Sequence, residues 1–219
     1  MSRNPAHDYS ADEAALVRII EASPYLMSAL HAVQSLGQEA WCIGAGAIRA
    51  RVWDELHGYS DHSATPDIDV AYFDASCNEP ATEQALQRQL SIMHPEIPWE
   101  LTNQAKLHLW YEKEFGYPIK PLPSLLAGIA AWPEFATAVG VCLDAQSRLT
   151  VLAPFGLRDL FAMVIRHNPA IADAKIYADR IHRKQFVQRW PKVRILPSIY
   201  SQPTAIDSAA PGTSNFNPP

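Results

Sequence analysis

The stretch TPDIDVAYFD, residues 65–74, sets two aspartates among residues that otherwise favour a half-buried strand. Side chains two apart on a strand project from the same face, so Asp67 and Asp69 point the same way. Like charges held that close repel, and taking each out of water costs on the order of several kcal/mol unless it is paired. A fold that contains this strand must bring a cation to it, as lysine, arginine or a metal ion.

The flanking sequence predicts a mixed α+β fold. Helical spacing runs through residues 11–36 (Leu16, Ile19, Ile20, then Leu26, Leu30, Val33), with Pro24 separating two helices. AWCI at 40–43 reads as a buried strand, GAG as a turn, and AIRARVWDELHG as a helix closed by Gly58. Residues 80–93 form an amphipathic helix that starts on proline. Residues 98–111 begin as a strand, 124–132 are helical, and AVGVCLD with LTVLAP forms a hairpin. Helices are expected over 156–167 and 172–190. Residues 1–196 are expected to form a single domain, and 197–219, rich in Pro, Ser and Asn, a disordered tail.

Composition narrows the function classes. With 48% apolar and 19% charged residues the chain has the profile of a compact protein. The longest apolar run, LLAGIAAW, is too short to span a bilayer, and the N-terminus lacks a signal-peptide core, so a cytoplasmic location and no membrane partner are expected. Three scattered cysteines, Cys42, Cys77 and Cys142, make neither a CxxC pair nor a disulfide framework. The net charge of −5 argues against coating double-stranded DNA, although 175–194 carries seven Lys or Arg against one Asp. That segment reads as a solvated face, or as a steering surface for an anionic ligand.

Three features then fall in order along the chain. Gly44 and Gly46 flank Ala45 between a strand and a helix, where backbone N–H groups suit a phosphate. The aspartate strand follows, and Glu100 stands among apolar neighbours in PWELT. Three carboxylates from two strands would form an oxygen-rich site for a hard divalent cation.

This order resembles the DNA polymerase β-like nucleotidyltransferase superfamily. GAGAIRARVWDELHG, DIDVAYFD, WELTNQAKLHLW, VLAPFGLRDLF and RWPKV together resemble a family of small bacterial nucleotidyltransferase-like proteins over about residues 25–195. The resemblance implies metal-dependent transfer of NMP from an NTP to an acceptor hydroxyl on a small molecule, RNA end or protein. It implies Asp67, Asp69 and Glu100 as catalytic metal ligands for Mg²⁺, two ions with Mn²⁺ as a substitute. Gly44, Ala45 and Gly46 would contact the nucleotide, and Arg49 and Lys106 are candidate nucleotide-binding cations. The chain departs from the closer family in carrying Ala50 where Asn is usual and Cys142 where Arg is usual, and the interval from glycine turn to aspartates is long.

Other readings use the same acids. A DxDx[TV] phosphatase would need Thr or Val where Ala71 stands. DxD glycosyltransferases do not need the upstream glycine turn. A non-catalytic nucleotide-binding module of the same fold is the further alternative, against which the chain keeps all three acids. Asp54 and His57 share a helix face, and Asn103 and Gln104 either tie strand ends or read a base. The six tryptophans read as packing, and no His/Cys cluster suggests zinc.

Overall fold

The computed structural model describes residues 10–60, 67–76 and 80–198. The predicted tail, apart from its first two residues, and Cys77 lie outside the described residues.

Two helices open the chain, α1 (Ala11–Glu21) and α2 (Pro24–Gln34), each with a serine cap. Ser10 and Glu13 form a reciprocal capping box on α1, and the Ser23 hydroxyl accepts the Leu26 N–H. Strand β1 (Trp41–Gly44) runs directly into α3 (Ala45–His57), so Gly46 lies in the first helical turn instead of in a separate turn. The corner is made at Ala45, whose φ of 49° is left-handed. Such backbone costs a non-glycine residue about 1–2 kcal/mol, and the Ala45 N–H bonded to the Val139 carbonyl at 3.1 Å helps hold it.

Strand β2 (Ile68–Tyr72), α4 (Pro80–Met93) and β3 (Trp99–Asn103) follow as a parallel crossover. A 3₁₀ turn (Gln104–Leu109), α5 (Tyr111–Phe115) and α6 (Leu125–Ala130) lead to the hairpin of β4 (Gly140–Leu143) and β5 (Leu149–Leu152). The five-stranded sheet has the order β3-β2-β1-β4-β5, parallel only at β2–β3.

The alternation in β2 divides the sheet's two faces. Ile68, Val70 and Tyr72 join the main core with α1, α2 and α3, including Leu16, Leu30, Ile48 and Trp53. Ala71 faces the other way into a small cluster with Cys42, Leu125 and Ile129 beneath α6. Asp69 shares that thinly covered face.

The C-terminal region departs from the expected helices. Over 156–167 only α7 (Arg158–Phe161) is α-helical; Met163 takes φ 52°, and β6 (Val164–Ile165) pairs with β7 (Arg194–Ile195). Over 172–190 the chain makes α8 (Ala174–Lys184) and α9 (Phe186–Arg189), broken at left-handed Gln185. Among the described residues no helix is long and apolar enough to cross a membrane.

Candidate functional site

Asp69 and Glu100 face one another across the parallel β2–β3 pair, and Asp67 immediately precedes β2. Ligand oxygens from Asp67, Asp69 and Glu100 all lie within 4.8 Å of one another. All-oxygen donors at this spacing fit a hard divalent cation. Burial pushes the Asp69 carboxyl up to about 6, with Asp67 and Glu100 adding to the rise, while Lys184 and the Gly46 N–H pull the other way.

The acids line a cleft of about 410 Å³. Across it stands α8, which contributes Arg180, Arg183 and Lys184. Arg180 is held by Glu134, a fully buried carboxylate, through its Nε at 2.6 Å and its terminal nitrogen at 3.2 Å. Thr137 donates to the same carboxylate at 2.7 Å. Burial opposes the charged form of Glu134, but Arg180 outweighs it and the pKa falls below the ordinary value. These α8 cations are the part of the site that sequence reasoning did not assign. Their i, i+3, i+4 spacing shows a basic stripe, but nothing in the sequence says which surface that stripe meets.

Arg49 lines the cleft from α3 but lies largely inside the protein, only 5% exposed. Its guanidinium carbon sits 5.4, 4.9 and 5.3 Å from the rings of Trp53, Phe186 and Trp190. These contacts are of the cation–π type. Its Nε has no hydrogen-bond partner among the described residues, and burial lowers its pKa to about 10. Trp190 is fixed in turn by donating its indole N–H to buried Asp54 at 2.8 Å. Asp54 therefore shapes the wall behind Arg49. The His57 imidazole, also on α3, sits 2.7 Å from the Trp53 carbonyl and accepts the Lys192 N–H at 3.1 Å.

The two glycines have different reasons to be glycine. A Cβ on Gly44 would run into the Trp132 ring, so this position admits an indole. Among the described residues a Cβ on Gly46 would meet nothing closer than the Asp69 Oδ2 at 3.8 Å, so within them this glycine leaves space over the acids. Lys106 is not brought to the cleft: its amine reaches the Ala75 carbonyl at 3.4 Å. Asn103 is consumed locally, its side-chain oxygen accepting from Asp74 and Ala105 and its amide donating to the Asp74 carbonyl.

Residues 31–195 match the sequence profile of the Nucleotidyltransferase family. The chain belongs to that family, and its acidic triad stands where sheet and cleft meet. Among solved structures, one described as a CCA-adding enzyme head domain is similar to it at 24% identity and a TM-score of 0.72, covering 84% of this chain and 96% of the other. Two structures of a tRNA-processing enzyme are similar at 17% and 16% identity with TM-scores of 0.45 and 0.46, and the chain spans 44% and 43% of their length. No protein of curated function matches the sequence.

Proposed function

We propose that the protein transfers a nucleoside monophosphate from an NTP to an acceptor hydroxyl, with Asp67, Asp69 and Glu100 holding Mg²⁺ ions, or Mn²⁺ in their place. The observation that carries this reading is the closed triad of carboxylates facing the cations of α8 across one cleft. Acids alone would repel the substrate, and cations alone would only bind it. When bound, the metal would supply positive charge at the reacting phosphate and lower the pKa of the attacking hydroxyl.

This chain's own residues do the rest. The first turn of α3 is open at Gly46 and offers backbone to the triphosphate, while Arg49, Arg183 and Lys184 neutralise its β- and γ-phosphates. Ala45 is part of the same wall. Arg180, oriented by Glu134, fixes the side of the cleft opposite the acids. The acceptor oxygen forms its bond to the α-phosphorus as the bond to the bridging oxygen breaks, and pyrophosphate leaves towards α8. Glu100, the most exposed of the three acids, takes the hydroxyl proton. The work is positioning and electrostatics.

The test is a thermal-shift titration against ATP, GTP, CTP and UTP, each with and without Mg²⁺. A ligand that binds only the folded chain raises its apparent stability. A metal-dependent rise, followed by an acceptor screen that includes RNA 3′ ends because of the CCA-adding likeness, supports the reading. No rise with any NTP contradicts it.

A further inference from the structure

The cleft continues into a second lobe of about 320 Å³ that shares Gly46, Arg49, Asp67, Arg183 and Lys184 with it and adds Arg189. None of Thr102, Gln104, Trp110 or Trp132 lines that lobe; they line the main cleft only. The site is thus polarised. A cation-rich lobe lies on the α3–α8 side, the acids lie between, and two indoles, a hydroxyl and an amide stand on the other side. A nucleotide whose phosphates occupy the cations and whose α-phosphate meets the acids must extend its nucleoside towards Gln104.

Gln104 is a built feature of that side. It is only 5% exposed, yet no hydrogen bond satisfies its side-chain amide among the described residues. Held in place by packing and reached by solvent only from the cleft it lines, the amide keeps its donor and acceptor available to a ligand there. Its seat is made by a glycine: a Cβ on Gly128 of α6 would fall 2.8 Å from both the Gln104 Cγ and its Oε1. Trp132 is seated the same way over Gly44. Adjacent Asn103, chemically the same amide, is spent on the backbone, so the two residues divide a structural task from a free one.

We propose that this side of the cleft is the nucleobase subsite and that Gln104 is its specificity-determining residue, selecting adenine over guanine. The proposal rests on the nucleotidyltransferase reading above. A side-chain amide offers one acceptor beside one donor and matches the N6 amino group and N7 of adenine, whereas guanine presents two acceptors, N7 and O6, on that edge. Trp110, 42% exposed, and Trp132 provide ring faces on which a base can stack.

The experiment titrates full-length protein with ATP, GTP and inorganic tripolyphosphate, each with Mg²⁺, in wild type, Gln104→Met and Gln104→Ala. Gln104→Met keeps the volume and removes the amide, which guards against a cavity effect of the alanine variant. Wild type is expected to bind ATP about tenfold more tightly than GTP. The Gln104→Met variant should bring the two together and leave tripolyphosphate affinity unchanged. Equal ATP and GTP affinities in wild type, GTP ranked above ATP, or an ATP preference that survives in Gln104→Met would each overturn the proposal. Tripolyphosphate binding with no base preference rejects Gln104 alone. Absence of tripolyphosphate binding rejects the metal and phosphate reading, and this proposal with it.

Discussion

Asp69 and Glu100 are direct neighbours in the parallel register of β2 and β3. Two carboxylates are thereby fixed side by side on the thinly covered face of the sheet. Asp67, one step beyond the strand on the same side, makes the third.

That arrangement is uncomfortable without a cation. Burial and its two acidic neighbours raise the Asp69 pKa to about 6. A carboxyl raised in the folded state binds protons more tightly than the unfolded chain. Its contribution is therefore present at low pH and is lost as pH rises from about 4 through 6. In chelator, Asp69→Asn should be more stable than wild type at pH 7.5, by on the order of 1–3 kcal/mol. The gap should shrink below pH 5, and Mg²⁺ should raise wild type towards or past the variant. Urea unfolding at the two pH values measures this.

The glycines separate packing from ligand access. Gly44→Ala drives a Cβ against the Trp132 ring and should cost about 1–3 kcal/mol of stability, read by chemical denaturation. Gly46→Ala meets no such wall and should fold at or near wild-type stability while losing nucleotide affinity. Equal stability losses in the two variants would deny the distinction.

Arg49 is a buried cation among aromatic rings. Replacing it by Met removes a desolvated charge of similar volume, a change that is often neutral or stabilising. Arg49→Met should therefore keep or raise the melting temperature and weaken Mg²⁺–NTP binding about tenfold or more. A calorimetric scan beside a binding titration gives both numbers.

Glu134 and Arg180 depend on each other. Arg180→Met strands a fully buried carboxylate and should destabilise the fold by about 3 kcal/mol at pH 7. Without its partner Glu134 is left with a raised pKa, so lowering the pH towards 5 should return part of that loss as it protonates. Denaturation of wild type and variant at pH 7 and pH 5 decides it.

The sequence carried the acids and the sheet well, because both rest on local pattern. Alternation in IDVAY separates Asp69 from Ile68, Val70 and Tyr72, and the glycines stand at the β1–α3 junction as expected. Long-range pairing was not legible. FAMVIRH has helical spacing, but Val164 and Ile165 leave the helix to pair with Arg194 and Ile195, a partner about thirty residues away that no local period announces. The basic stripe on α8 was visible, yet its position over the acids depends on tertiary packing of residues eighty or more positions apart. Burial of Arg49 was hidden for the same reason: its rings come from α3, α9 and the residue after α9. Glu134 gave no signal at all, since a lone acid in WPEF looks like any loop carboxylate.

The central claim is that the triad binds the nucleotide through divalent metal. Calorimetric titration of a non-hydrolysable α,β-methylene NTP into wild type and Asp69→Asn, with Mg²⁺ and then with chelator, tests it most directly. The account predicts binding by wild type that needs Mg²⁺ and falls at least tenfold in the variant. Equal affinity in the two proteins, or wild-type binding indifferent to chelator, would contradict it.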